Sequence, residues 1–296
     1  YLTATAGAGR AEIHELRRRA AEQLLCTGHF DDGVGVMREV LAEFGMKIAP
    51  TPTRAVASIL WRRLRLRLRG LRFRTRDASE IRPRDLARVD ALWACTLGLG
   101  LIDTVRGEEL ANRHMLAALE LGEPLRIARA LAGESAYVAS THSITTARLG
   151  KILALSDELA RRTDDPQILG QAKVAASLAA VAHGRWRDGR RLSEAAVEIL
   201  RDRCTGVTWE LASSRLSGLA AMYYLGEIRE ITARVPVLLA DADQREDLYT
   251  VIGLASWPNN IVWLAADDAD TARRRLDDAM SRWTWDGFHW QHSTGF

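Results

Sequence analysis

The chain has 296 residues, of which 47% are hydrophobic and 27% are charged, and its formal net charge is +3. This composition excludes a disordered or collagen-like chain, and no stretch of 18 uncharged apolar residues indicates a membrane span. The three cysteines, Cys26, Cys95 and Cys204, lack CxxC spacing, which argues against a disulfide scaffold or a zinc site and favours a reducing, cytoplasmic setting.

Apolar residues recur at i, i+3, i+4 and i+7 along almost the whole chain, which is the period of an α-helix. Period-two runs rich in valine, isoleucine and threonine, which are typical of strands, are nearly absent. Proline stands where several helices are predicted to begin, a position at which its missing N–H costs nothing. These positions are Pro52, Pro83, Pro124 and Pro166. The sequence therefore predicts an all-α fold.

Residues 1–45 predict a first helical hairpin. A glycine at Gly28 suits the turn, Phe30 fills the gap beside it, and Gly33 lies three residues further on. A small residue at the crossing lets the backbone of the second helix approach that of the first, so this spacing indicates two closely packed antiparallel helices.

Residues 46–102 break this pattern and predict inserted basic helices. Residues 54–88 hold twelve arginines but only three acidic residues. Apolar residues at helical spacing predict one stripe that packs into the core, with the arginines on the solvated side. This stripe comprises Ala57, Leu60, Trp61, Leu64, Leu68 and Leu71.

The arginines of this helix are the candidate partner-docking residues. They are Arg62, Arg63, Arg65, Arg67, Arg69 and Arg72. Four interpretations stay open, of which a solvated structural face is favoured, followed by a docking site for an acidic protein or for an acidic part of the same polypeptide. Nucleic-acid binding would need additional stacking aromatics or a reading helix, and membrane-surface binding would need a wider exposed apolar face.

Residues 103–290 predict repeats of about 42 residues, because three segments align with corresponding positions 42 residues apart. The first aligned positions are Ile144, Trp186 and Ile228, the second Ala147, Gly189 and Ile231, and the third Ala154, Ala196 and Leu238. A fourth copy, 41 residues further on, offers Ala269, Ala272 and Ala279. One hairpin cannot bury both of its faces, so neighbouring hairpins are expected to stack.

This pattern resembles the tetratricopeptide repeat, which has a Gly-x-aromatic turn followed by small residues on the second helix. Gly184-Arg185-Trp186 with Gly189, and Gly28-His29-Phe30 with Gly33, carry the resemblance. The resemblance implies a single domain over residues 1–296, an α-solenoid of stacked antiparallel helical hairpins. The longer period implies longer helices or larger loops than in the usual repeat.

Several strings are also similar to the C-terminal helical region of large bacterial serine/threonine protein kinases, in which a kinase domain precedes a STAND-type ATPase. They include "ELRRRAAEQLLCTGHFDDGVGVMREVLAEFGM", "LRLRGLRFRTRD", "RCTGVTWEL" and "NNIVWLAADDADTARRRLDDAMSRW". This resemblance covers nearly the whole chain. It implies that the chain is a fragment of a larger signalling protein, with a regulatory or scaffolding role.

No catalytic motif is recognisable in these residues. There is no kinase GxGxxG, HRD or DFG motif and no GxxxxGK[ST] phosphate loop. The pair His289 and His292 lacks a third metal ligand, and adjacent aspartates are typical of helix caps. We therefore expect no enzyme, no cofactor and no metal, and a protein or peptide as partner, including other domains of the same polypeptide. A domain that senses a small effector is the alternative.

Overall fold

The computed structural model describes residues 1, 3, 10–141 and 146–283. These residues form helices and no strand, which confirms the predicted all-α class for the described part of the chain. The helices are α1 Arg10–Cys26, α2 Phe30–Glu43, α3 Pro52–Arg69, α4 Pro83–Ile102, α5 Thr104–Leu121, α6 Pro124–Thr141, α7 Thr146–Thr163, α8 Pro166–Ala182, α9 Trp186–Arg203, α10 Thr208–Tyr224, α11 Ile228–Gln244, α12 Leu248–Ala255, α13 Ile261–Leu264 and α14 Ala269–Ser281.

The helix starts lie where the sequence predicted them. Proline is the first residue of α3, α4, α6 and α8. The residue before it supplies a side-chain cap in three of these helices. In α6, Glu123 Oε2 accepts a hydrogen bond from the Arg126 amide at 2.9 Å. Thr51 Oγ1 accepts a hydrogen bond from the Arg54 amide at 3.3 Å, and Asp165 Oδ1 accepts one from the Gln167 amide at 2.8 Å. Proline has no N–H that needs a partner, and the capping oxygen pairs with an N–H of the first turn. The local sequence alone therefore sets these helix boundaries.

Three helices end in the same glycine turn. Gly28, Gly184 and Gly226 have φ values of +89°, +72° and +75°, a region that a residue with a Cβ rarely adopts. In each turn the next amide donates to the carbonyl five residues earlier. The pairs are His29 to Leu24 at 2.7 Å, Arg185 to Ala180 at 2.8 Å and Glu227 to Met222 at 2.9 Å. The predicted turns at Gly28 and Gly184 are therefore confirmed, and Gly226 forms the same turn.

Two of the predicted crossing glycines lie in tight contact with the preceding helix. A Cβ placed on Gly33 would lie 2.7 Å from Leu25 Cγ, and one placed on Gly189 would lie 2.6 Å from Val181 Cγ2. In both hairpins the contacted residue lies eight positions before the glycine. Only glycine fits without displacing the neighbouring side chain, which explains the shared spacing.

The repeat alignment is wrong in α7. Ala147 and Ala154, which the alignment predicts to pack, are exposed, whereas Leu149 and Ile152 are buried. Leucine and isoleucine remove more apolar area from water than alanine does, so their side of the helix faces the core. The first aligned position of this copy, Ile144, lies outside the described residues.

The later copies of the repeat match the predicted burial better than the copy in α7 does. Five aligned positions in α9, α11 and α14 are buried, namely Gly189, Ala196, Ile231, Ala272 and Ala279. In α11 the third position differs by one residue, because Leu239 is buried and Leu238 is only half-buried. Ala269 is exposed at the start of α14.

The chain forms two compact units. Unit 1 comprises Tyr1–Leu25 and His29–Glu134, and unit 2 comprises Cys26–Gly28 and Ser135–Phe296. In unit 1, α2 packs on α4, and both α3 and α4 pack on α5. In unit 2, each helix from α7 to α11 packs on the next one, and α8 also packs on α10, as α10 does on α12.

Candidate docking surfaces

The basic helix α3 turns three of its four leucines to solvent. Four of its large apolar side chains, which we call the apolar stripe, have exposed fractions of 65% for Leu60, 61% for Trp61, 47% for Leu64 and 79% for Leu68. The buried residues of α3 are instead Ala55, Ile59 and Leu66. The stripe has the spacing that the sequence predicts, but the prediction that it packs into the core is wrong.

The carboxylate of Glu109 on α5 explains this orientation. Glu109 is fully buried, and its Oε1 accepts hydrogen bonds from Ser58 Oγ at 2.6 Å and from Arg113 Nε at 2.7 Å. Arg62 Nε on α3 lies 3.4 Å from the same oxygen. Burying a carboxylate away from any cation costs roughly several kcal/mol of folding free energy. The side of α3 that carries Ser58 and Arg62 therefore faces α5, where it supplies a hydrogen bond and a positive charge to Glu109.

Two further arginines of α3 also reach inward. Arg63 Nη2 lies 2.5 Å from Glu108 Oε1, and Arg69 Nη2 donates to the carbonyl oxygen of Leu119 at 3.0 Å. Burial lowers the pKa of Arg62 below its ordinary value, although Glu109 opposes that change. Three of the six candidate docking residues, Arg62, Arg63 and Arg69, therefore fasten α3 to α5.

The remaining three candidates lie on the solvent side of the chain. Arg65 Nη2 forms a largely exposed ion pair with Glu120 Oε1 at 3.3 Å. Arg67 and Arg72 are exposed, and no described carboxylate pairs with either guanidinium. Four exposed arginines in and beside α3 share this property: Arg54, Arg67, Arg72 and Arg74. Their positive charge is uncompensated within the described part of the chain.

These charges flank the apolar stripe on both sides. With 3.6 residues per turn, Arg54 and Arg65 fall beside Trp61, and Arg67 falls beside Leu60. No aspartate or glutamate occurs between residues 44 and 76. The solvent side of α3 is thus an apolar strip with a positive border.

A second exposed apolar surface lies in unit 2 and joins the start of α9 to the ends of α10 and α12. Trp186 stacks on Tyr224 with ring centroids 5.0 Å apart, and Tyr223 meets Trp257 edge-on at 5.9 Å. We call these four residues the aromatic cluster. Tyr224 is 40% exposed and Trp257 is 47% exposed.

Most of the tryptophans lie on apolar faces of predicted helices, so the sequence predicts that they are core anchors. That expectation holds for Trp93, which is buried, but Trp61 and Trp257 face solvent. Only Trp186 carried a specific signal in the sequence, as the aromatic residue of a predicted turn. The adjacent pair Tyr223 and Tyr224 gave no signal, because its neighbour Trp257 lies more than thirty residues further along the chain.

A buried polar cluster joins α8 and α10. Glu210 Oε1 accepts hydrogen bonds from Gln171 Nε2 at 2.8 Å and from Gln167 Nε2 at 3.2 Å. Glu210 and Gln171 are both buried. Glu210 Oε2 and Gln171 Oε1 accept no hydrogen bond from a described residue. This is the strongest candidate in unit 2 for binding a small molecule that carries N–H groups.

The other polar groups singled out in the sequence have structural roles where the structure describes them. Besides Asp165, Asp268 caps a helix by accepting from the Thr271 amide at 3.0 Å. No group of three potential metal ligands occurs among the described residues, and His289 and His292 lie outside them. Within the same part of the chain, no helix is long and apolar enough to cross a membrane.

Comparisons with protein-family models, with curated proteins and with solved structures return no match to this chain.

Proposed function

We propose that the chain is a non-catalytic protein-interaction and regulatory module of a larger, cytoplasmic bacterial signalling protein. In this proposal the module is a tetratricopeptide-like α-solenoid. The remainder of the polypeptide carries a serine/threonine kinase and a STAND-type ATPase, as the resemblance of the helical strings implies.

The packing order of unit 2 supports the repeat assignment. Consecutive helices from α7 to α12 contact each other, and the first helices of successive hairpins also do so, α8 with α10 and α10 with α12. This succession is what an array of stacked hairpins requires, because each repeat buries its apolar face against the next. The equivalent environments of Gly33 and Gly189 support a shared hairpin motif.

The observation that carries the interaction role is the exposure of the aromatic cluster. Tryptophan and tyrosine are enriched in protein interfaces, where they provide large, rigid contact areas at low entropic cost. Four such side chains in mutual contact, two of them 40% exposed or more, form a suitable anchor for a protein partner. We propose that this partner is another domain of the same polypeptide.

A binding experiment between separately purified parts tests this role. Residues 1–296 are titrated with the kinase and ATPase domains of the parent polypeptide. We expect binding that weakens about tenfold or more when Tyr224→Ala and Trp257→Ala are combined, because central aromatic residues dominate interface energies. Val237→Ser removes a comparably exposed apolar side chain on α11 and serves as the control. If neither domain binds, the proposed role is wrong.

The alternative is a domain that senses a small effector and controls the adjoining ATPase or kinase. The specific observation in its favour is the pair of buried acceptor oxygens on Glu210 and Gln171 that no described donor satisfies. Convergent buried polar groups of this kind are typical of small-molecule sites.

The docking role of α3 belongs to the same proposal. Because Arg62, Arg63 and Arg69 are engaged with the body of unit 1, we assign partner contact to Arg65, Arg67 and Arg72 together with the apolar stripe. A surface that is both apolar and positively charged fits a partner that is apolar and negatively charged.

A further inference from the structure

We propose that this partner of α3 is an anionic membrane surface: the apolar stripe inserts at the level of the lipid headgroups, and the flanking arginines contact lipid phosphates. This inference rests on the proposed docking role of α3 and names what the helix docks on. It involves no membrane span, because α3 would lie parallel to the surface.

The dimensions of the apolar stripe suit a helix that lies in a membrane interface. Leu60, Leu64 and Leu68 follow one another at intervals of four residues, so they extend over about 12 Å of one side of the helix. Trp61 lies beside them, and all four side chains are exposed by roughly half or more. A strip of leucine and tryptophan bordered by exposed arginines has the composition of the side that an interfacial helix presents to lipid.

The charges around the stripe are complementary to anionic lipid. Arg54, Arg67, Arg72 and Arg74 are exposed and have no described carboxylate partner. Since no acidic residue occurs between residues 44 and 76, no carboxylate from this segment repels the lipid phosphates. Arginines on both sides of an apolar strip can contact headgroups while their stems cover the edge of the inserted surface.

The shape of the surface disfavours other occupants. Among the described residues, α3 packs extensively only against α5, so its outer side is a ridge and not a groove. A partner helix binds best in a groove between two helices, whereas a deformable bilayer can accommodate a ridge. A second copy of the chain would bring arginines against arginines, and a nucleic acid would leave the leucines in water.

Vesicle binding of the full chain tests the inference. We expect the protein to sediment with vesicles of equal parts phosphatidylcholine and phosphatidylserine, and not with phosphatidylcholine alone. Combining Leu64→Ser and Leu68→Ser is expected to weaken this binding about tenfold or more. Combining Arg67→Gln and Arg72→Gln is expected to weaken it about 25-fold, since each arginine contributes about fivefold.

Two matched variants in unit 2 control for unspecific effects. Val237→Ser removes an exposed apolar side chain, and the combination of Arg273→Gln and Arg275→Gln removes two exposed positive charges. Both are expected to bind vesicles as the unmodified chain does. Circular dichroism spectra confirm that the α3 variants stay folded, as their exposed positions predict.

Two results would overturn the inference: failure to sediment with the anionic vesicles, or sedimentation that the leucine variant does not reduce. In parallel, an acidic amphipathic peptide is titrated in place of vesicles. If the peptide alone binds and Leu64 and Leu68 are needed, α3 is a protein-docking site, so the membrane inference falls and the docking role stands. The domain-binding experiment is independent of both results, because its variants lie in the aromatic cluster.

Discussion

Replacing Gly189 with leucine is expected to destabilise unit 2 by about 3 kcal/mol, the upper part of the range for overpacked cores. A Cβ at this position would already lie 2.6 Å from Val181 Cγ2 and 3.4 Å from the Val181 amide nitrogen, so the larger side chain must push α9 away from α8. Hydrogen exchange of the α8 and α9 amides measures the loss, since those amides exchange when the hairpin opens.

A matched substitution at Gly150 separates this effect from the general cost of changing a helical glycine. Gly150 is exposed in α7, and no atom lies within 4 Å of a Cβ placed there. Gly150→Ala is expected to stabilise its helix by about 1 kcal/mol, because alanine is the better helix former. Equal protection of α8 and α9 in the Gly189→Leu variant and the unmodified chain would show that these helices do not nest as described.

Replacing Glu109 with glutamine is expected to destabilise unit 1 by about 3 kcal/mol, because breaking a buried ion pair leaves charges without a counterion. The side chains of Arg62 and Arg113 are only 24% and 21% exposed, and both lie within 3.4 Å of Glu109 Oε1. Glutamine keeps the shape of the side chain but supplies no negative charge. Urea unfolding followed through the hydrogen exchange of α3 and α5 measures the change.

Glu120→Gln is the control for this prediction. Glu120 pairs with Arg65 on the same two helices, but the side chains are 58% and 46% exposed, so the pair is screened by water. We expect a loss of about 0.5 kcal/mol or less. If the two glutamine variants were equally stable, burial of the Glu109 carboxylate would not be what orients α3.

The helical class and the glycine turns were predictable because they are encoded locally. The turns at Gly28, Gly184 and Gly226 depend on one residue that tolerates positive φ, and the helix starts depend on a proline and its neighbours. Each of these signals lies within a few residues of the structure that it determines. The repeat alignment failed in α7 because it followed the spacing of small residues and ignored the larger Leu149 and Ile152.

The orientation of α3 was not predictable from its own sequence. Helical spacing correctly identified Leu60, Trp61, Leu64 and Leu68 as one face, but it does not tell whether that face meets the core or solvent. The deciding residue is Glu109, about fifty positions away, whose carboxylate requires the polar face of α3. The same reason, tertiary contact between distant segments, hid the aromatic cluster.

Thiol labelling on two sides of α3 tests most directly the claim that its apolar stripe faces solvent. The variants Leu64→Cys and Ile59→Cys are made in a chain in which Cys26 and Cys204 are serine. Cys95 can stay, because burial raises the pKa of its thiol to about 12 and shields it from the reagent. The account predicts that the Leu64→Cys variant reacts as fast as a thiol in an unfolded peptide, and that the Ile59→Cys variant reacts only when the protein opens. Fast labelling of the Ile59→Cys variant with protection of the Leu64→Cys variant would contradict it.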